Sequence, residues 1–270
     1  SRAETHPAFR PGLPGIYIDP GLPALRFEFK PVRKLLGAYA GAGLPADFRL
    51  QRDLSCSIFA RTLMEEKWTP RLQPGLRKSF KPSCGGFSLR NLSARDPTVV
   101  CFDLGRQFTG GIVFEMKSDS GGTIDIGWAE LAVKGRPQVL RKGNSYVDRY
   151  EAGPGRNTWQ PMGFSAGRFL VLILRGFSGQ IEFRQLGMLS SEPDLPWKGS
   201  FQSDDPALNA VWSLCEHSLR TGTQTGLMDC PTREQAAYIG DGNPTAAWIG
   251  RIAGDTSHWR HLVRESFAVQ

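Results

Sequence analysis

No stretch of this chain is apolar for long enough to cross a bilayer as a helix. The longest apolar run, Phe169-Leu170-Val171-Leu172-Ile173-Leu174, has the length of a strand. No basic-then-apolar leader is visible, so a cytoplasmic location and no membrane partner are expected. Cysteine is sparse and scattered. Cys56, Cys84, Cys101, Cys215 and Cys230 are odd in number and contain no CxxC pair. That argues against a zinc site and against a disulfide framework, and favours buried reduced thiols. Histidine is rarer, at four residues. His217, His258 and His261 have no cysteine or carboxylate at ligand spacing and read as structural, so no metal and no cofactor is expected.

The formal charge of +7 is uneven. Residues 1–96 hold 16 Lys/Arg against 8 Asp/Glu, whereas residues 97–270 hold 17 against 18. The surplus cations, such as Arg26, Lys30, Arg33, Lys34, Arg71 and Arg77, stand singly among prolines. A nucleic-acid footprint needs them clustered with aromatic or groove-reading elements, so no nucleic-acid partner is expected. The 40% hydrophobic and 22% charged content is that of a folded globular chain, and 270 residues exceed one small core.

The chain divides by pattern into three parts. Residues 1–96 carry ten of the nineteen prolines and read as an irregular, partial β-region and connector, with short strands at Leu25–Phe29 and Ser57–Arg61. Residues 97–193 alternate with period two: Val99–Leu104, Ile112–Lys117, Thr123–Trp128, Tyr146–Tyr150, Phe169–Leu174 and Ile181–Arg184 are strands. Gly110-Gly111 marks a turn or bulge, and Ser118–Gly122 reads as a hairpin turn. Strands at this spacing with glycine turns argue a jelly-roll β-sandwich. Asp103, Asp125 and Glu130 could hold a cation, but exposed strand positions explain them more simply.

Residues 194–270 change to helical spacing. Asp205-Pro206 is a cap followed by proline at the first helical position, with Leu208, Val211, Trp212 and Cys215 on one stripe. Asn243-Pro244 starts a second helix, which Gly254 ends. Asp255 caps a third, whose apolar stripe Trp259, Leu262, Val263 and Phe267 should be core. Three helices with unmatched apolar faces suggest that further helices belong to the domain.

Between the first two helices lies Met228-Asp229-Cys230-Pro231-Thr232-Arg233-Glu234-Gln235, closed by Gly240-Asp241-Gly242. Three carboxylates and one guanidinium share this run, and Pro231 with the glycines makes most of it a loop. Such a cluster suits glycosidic bond cleavage. One carboxyl stays protonated to donate to the leaving oxygen, while its neighbours stay ionised and grip hydroxyls. Like charges folded close to Glu234 would raise its pKa. The plain alternative is that Asp229 and Asp241 cap helices while Arg233 pairs with Glu234. Tyr238, inside the same segment, is a candidate substrate contact.

These residues carry a resemblance. Gly199-Ser200-Phe201, Asp204–Asn209 with Val211-Trp212, the Asp229-Cys230-Pro231-Thr232-Arg233-Glu234 loop and Gly240-Asp241 resemble the bacterial α-L-rhamnosidase family of glycoside hydrolases. Phe102–Arg106, Gly110-Gly111, Trp159–Phe164 and Gly167-Arg168-Phe169 are similar to the jelly-roll domain that adjoins its catalytic barrel. The resemblance implies a jelly-roll β-sandwich followed by the first helices of an (α/α)6 barrel, incomplete in this chain. It also implies inverting removal of terminal α-L-rhamnose from an oligosaccharide or glycoside. Glu234 falls on the general acid, Asp229 and Asp241 on positions that hold the sugar, and Arg233 on the motif's arginine. The family's general base is a later glutamate that this sequence does not contain. Another reading is a non-catalytic carbohydrate-binding protein, with Trp128 and Trp159 as exposed sandwich aromatics.

Overall fold

The computed structural model describes residues 21–40, 69–70, 75–141 and 144–268. Cys56 and the strand expected at Ser57–Arg61 lie outside them. The strands are β1 (Leu25–Pro31), β2 (Lys34–Ala40), β3 (Thr69–Pro70), β4 (Phe87–Leu92), β5 (Thr98–Ser118), β6 (Gly122–Ala129), β7 (Ala132–Val133), β8 (Arg136–Pro137), β9 (Leu140–Arg141), β10 (Asn144–Ser145), β11 (Val147–Ala152), β12 (Gly155–Trp159), β13 (Ser165–Arg175) and β14 (Gly179–Pro193). A short helix, α1 (Leu76–Ser79), precedes β4, and α2 (Pro206–Gly222), α3 (Ile239–Ala253) and α4 (Ser257–Ala268) follow β14.

Ten strands form one antiparallel sheet with a central path β1-β14-β5-β13-β6-β11. β12 and β2 pair with β5, β3 pairs with β2, and β4 pairs with β14. β1, β2 and β4, all before residue 97, are thus strands of the same sheet as those after it. The topology turns on β5, which was expected as two strands broken at Gly110-Gly111. It is one 21-residue strand. Its first part, Thr98–Asp103, is flanked by β2 and β13, and its last part, Phe114–Ser118, by β14 and β12. It therefore passes from one layer to the other. The glycines serve close approach: a Cβ at Gly110 would stand 2.0 Å from the Leu189 carbonyl oxygen. The Ser118–Gly122 turn does not make a hairpin either. β13 lies between β5 and β6, paired to both, so the two strands joined by the turn are not neighbours.

Period-two alternation fills both faces of the sheet. On the inner face Val100, Phe102 and Leu104 of β5, Ile124 and Ile126 of β6, and Leu170, Leu172 and Leu174 of β13 join the main core. Phe87 stacks on Phe183 with ring centroids 4.6 Å apart. On the outer face Val99, Cys101, Val171 and Ile173 pack with Val139 and Val147 in a second core. That is why Phe169–Leu174 reads as an unbroken apolar run: both of its faces are covered. Burial pushes the Cys101 thiol far above its ordinary range, so it stays a protonated, inert thiol.

Two acidic residues expected at exposed positions are buried instead. Asp125 is 0% exposed and takes Arg149 Nε at 2.5 Å and Arg175 Nε at 3.1 Å. Asp103 accepts from Arg168 Nε and Nη2, both at 2.9 Å, and from the Gly105 N–H at 2.7 Å. The Asp103–Arg168 fork ties the Phe102–Arg106 segment to Gly167–Phe169. Both acids are consumed by arginines, and among the described residues no cluster of His, Cys, Asp or Glu could hold a metal.

Candidate active site

The segment after β14 folds as its caps dictate at two helices and departs at one. Asp205 accepts from the Ala207 N–H at 2.8 Å and caps α2, with Pro206 in its first turn. Gly254 ends α3 in the left-handed conformation (φ 69°), its N–H reaching the Gly250 carbonyl. Asp255 accepts from the Ser257 N–H at 2.9 Å and starts α4. The departure is the start of α3, which lies at Ile239 rather than Asn243-Pro244. Pro244 is tolerated one turn inside the helix, close enough to the N-terminus that few backbone bonds are lost. The Gly240-Asp241-Gly242 part of the acidic run is therefore the first turn of α3, not loop. A Cβ on Gly242 would come within 2.8 Å of Leu262 Cδ2, so glycine lets α3 and α4 lie close.

The apolar stripes of α2 and α4 are not core. Leu208, Val211 and Leu214 are exposed, the last at 64%. Trp259, Val263 and Phe267 are exposed too, and only Leu262 of that stripe is buried. On α2 the Phe201 ring covers Trp212, with centroids 5.5 Å apart, and leaves Leu208, Val211 and Leu214 open. α2 instead turns its polar side, Glu216, His217 and Arg220, toward the sheet, where a cleft of about 330 Å³ opens. That cleft has no single motif in the sequence. Its trace is the Glu216-His217-x-x-Arg220 spacing opposite the apolar stripe.

Polar contacts dock the helical segment on the sandwich. Thr109 Oγ1 donates to the Thr221 carbonyl at 2.7 Å. Gln224 bonds twice to Ser191 of β14: the serine hydroxyl donates to Oε1 at 2.7 Å, and Nε2 donates to the serine carbonyl at 2.9 Å. The Gln224 carbonyl lies 3.2 Å from His258 Nε2 on α4. Gln224 thus joins sheet, loop and last helix just ahead of the acidic residues, and both His217 and His258 hold the structural positions expected of them.

The acidic loop is pinned at its base. The Asp229 N–H donates to the Ala236 carbonyl and the Ala236 N–H donates to Asp229 Oδ1, each at 3.0 Å. Gln235 Nε2 closes the turn onto the Pro231 carbonyl at 2.9 Å, with Gln235 itself in the left-handed region (φ 52°). Burial pushes the half-buried Asp229 carboxyl upward. Hydrogen bonds from the Ala236 N–H and from Cys230 outweigh that and hold it below the ordinary carboxylate range. Asp229 is therefore an ionised, oriented acceptor.

Arg233 and Glu234 face each other as an ion pair at the exposed tip of the loop. Tyr238, 50% exposed, precedes α3, and Asp241 lies exposed in its first turn. Among the described residues no hydrogen bond or ion pair links Asp229, Glu234 and Asp241 to one another. The loop thus brings together Arg233 with Glu234, and Asp229 with Ala236. Of the two sandwich aromatics, Trp128 is buried beside Tyr146, and Trp159 is half-buried with its ring 5.6 Å from Tyr150, so neither forms an open platform.

Residues 196–265 match the family model of the bacterial alpha-L-rhamnosidase six-hairpin glycosidase domain. The chain is similar to the GH78 family rhamnosidase of Bacillus sp. GL1, at 25% identity and a TM-score of 0.67, over 73% of this chain and 21% of that one. It shares its fold with a rhamnosidase from Klebsiella oxytoca solved with rhamnose bound, at 14% identity and a TM-score of 0.58, over 89% of this chain and 44% of that one. Comparison with curated proteins gave no match. The chain spans less than half the length of either structure. The chain is thus a β-sandwich followed by the start of a helical-hairpin domain, and the part that carries the acidic loop, within residues 196–265, is similar to the bacterial alpha-L-rhamnosidase six-hairpin glycosidase domain.

Proposed function

We propose that the chain is part of a glycoside hydrolase that removes terminal α-L-rhamnose, with a β unit ending near Pro193 and a helical unit after it. The observation that carries the reading is the pinned Asp229–Ala236 loop within the family-matched segment. In this reading Glu234 is the general acid and gives its proton to the glycosidic oxygen as the bond to the anomeric carbon breaks. Asp229, ionised and fixed by Ala236, accepts hydrogen bonds from sugar hydroxyls, and Asp241 does the same from the first turn of α3. Tyr238 supplies a ring edge beside them. Arg233 pairs with Glu234 at the loop tip, and a bound sugar would have to draw that guanidinium aside to reach the carboxyl.

Inversion needs a second carboxylate about 6.5–9.5 Å from the acid to activate water. Glu265, the acidic residue after Asp255 in this sequence, pairs with His261 at 3.4 Å on α4. We therefore do not assign the base to Glu265.

Two measurements test the reading. L-Rhamnose titrated into the chain should bind, and Asp229→Asn or Asp241→Asn should weaken it about tenfold, the loss of a charge-assisted hydrogen bond. An aryl α-L-rhamnoside should turn over little or not at all. Turnover abolished by Glu234→Gln would show that the chain holds its own base. Rhamnose affinity that survives both aspartate changes but falls with Trp159→Ala would move the function to the sandwich.

A further inference from the structure

We propose that the cleft between β1, β14 and α2 binds the carboxylate of an acidic saccharide residue, separately from the acidic loop. At about 330 Å³ it is near the small end of ligand pockets, room for a sugar ring or two. Its walls come from the edge strand, the central strand and the helix together, so it exists only when the helical segment is docked on the sandwich.

The charges in the cleft do not cancel. Its lining holds four cations, Arg26, Lys30, Arg106 and Arg220, against three carboxylates, Glu28, Glu192 and Glu216. Three of the cations are matched. Arg26 pairs with Glu192 and Lys30 with Glu28. Arg220 reaches Glu216 at 2.7 Å and Glu192 at 3.7 Å and lies over the Trp197 ring. Arg106 has no acidic partner among the described residues. Its one bond runs from Nε to His217 Nε2 at 3.2 Å.

The imidazole does not supply the missing negative charge. Burial lowers the His217 pKa despite the Gln107 carbonyl 2.6 Å away, so the ring is neutral at pH 7. Nε2 can serve Arg106 or Gln107 but not both. With either tautomer the two terminal nitrogens of Arg106 remain open, and they form the planar fork that a carboxylate matches in bidentate fashion.

What surrounds that fork suits a sugar ring. Ser190 and Ser213 bring hydroxyls to the cleft, and Phe108 offers a ring with Lys30 Nζ 5.6 Å from its centroid. The paired carboxylates Glu192 and Glu216 are acceptors for sugar hydroxyls. The saccharide part of this proposal rests on the glycosidase reading, and the anion part rests on the cleft alone.

Calorimetric titration of the intact chain with D-glucuronate, methyl β-D-glucoside and acetate tests it. Glucuronate should bind at least about tenfold tighter than either, because only it presents a fork acceptor and a ring together. Arg106→Gln should remove that advantage, and Arg106→Lys should restore part of it. NMR shifts at the His217 and Phe108 rings on adding glucuronate to the unaltered chain give a readout that needs no variant to fold. Equal affinity for glucuronate and the neutral glucoside, equal affinity for acetate, or an unchanged glucuronate affinity in an Arg106→Gln protein of normal melting temperature would overturn the proposal. Asp229→Asn should leave glucuronate binding intact while weakening rhamnose, so the two sites succeed or fail independently.

Discussion

Asp125 shows what a single residue can hold together. It is fully buried on the outer face of β6, and the guanidiniums of Arg149 and Arg175, themselves largely buried, converge on its two oxygens. Pairing keeps three ions inside the protein at tolerable cost, since each would face a large desolvation penalty alone. Removing the anion leaves two buried cations facing each other. Asp125→Ala should therefore cost about 3–5 kcal/mol, well beyond an ordinary surface change. Urea unfolding should show a lower midpoint with an unchanged slope. A loss under about 1 kcal/mol would mean that water replaces the carboxylate. Alternation in the sequence reported which face Asp125 occupies. It could not report that the outer face was covered, because Val139 and Val147 reach it from other segments.

Among the elements, α2 is where the sequence was read well locally and poorly in context. Its cap and its first-turn proline follow from Asp205 and Pro206. Its apolar stripe, expected to lack a partner in this sequence, is largely exposed, because amphipathicity names the side that wants burial and not whether a neighbour is there. The same limit explains α4, and the hairpin expected at Ser118–Gly122 failed since no local signal announces a strand inserted between two others. With little apolar burial, α2 depends on its cap and on the Glu216–Arg220 pair more than a core helix does. Asp205→Ala should then remove about 1 kcal/mol from the helix. Amide exchange should quicken in its first turn while the β-sandwich strands keep their protection, as expected of a unit that opens locally. Unchanged exchange in residues 206–210 would show that docking, not capping, holds that end.

The loop motif was legible as a chemical set because Asp, Arg and Glu stood close in sequence, while the cleft drew residues from β1, β5, β14 and α2 and could not be seen before folding. At the scale of the whole molecule, the half-buried His217 and the buried His258 lie near the junction of the two units, which should answer to pH. Burial lowers the pKa of both His217 and His258 from the ordinary 6.5. His258 is 1% exposed; with Nε2–H on the Gln224 carbonyl, its Nδ1 has no partner. A second proton there would be a buried donor without an acceptor, although Asp255 nearby favours it and His261 opposes it. Around His217, Arg106 and Arg220 disfavour the proton and Glu192 favours it. In the unfolded chain both rings take up protons near pH 6.5, so between that value and the lower folded values the unfolded state binds more protons. Their contribution to stability is complete above pH 6.5 and falls as the pH drops through this window. Asp103 and Asp229, held below 3.8, keep their contribution until more acid conditions and lose it only there. Melting temperature measured from pH 8 to pH 2 should thus decline in two stages, the first beginning near pH 6.5 and the second below about pH 4. His258→Gln should shrink that first stage and leave the second in place. A melting temperature flat from pH 7 to pH 5 would mean that the helices leave the sandwich without exposing either ring.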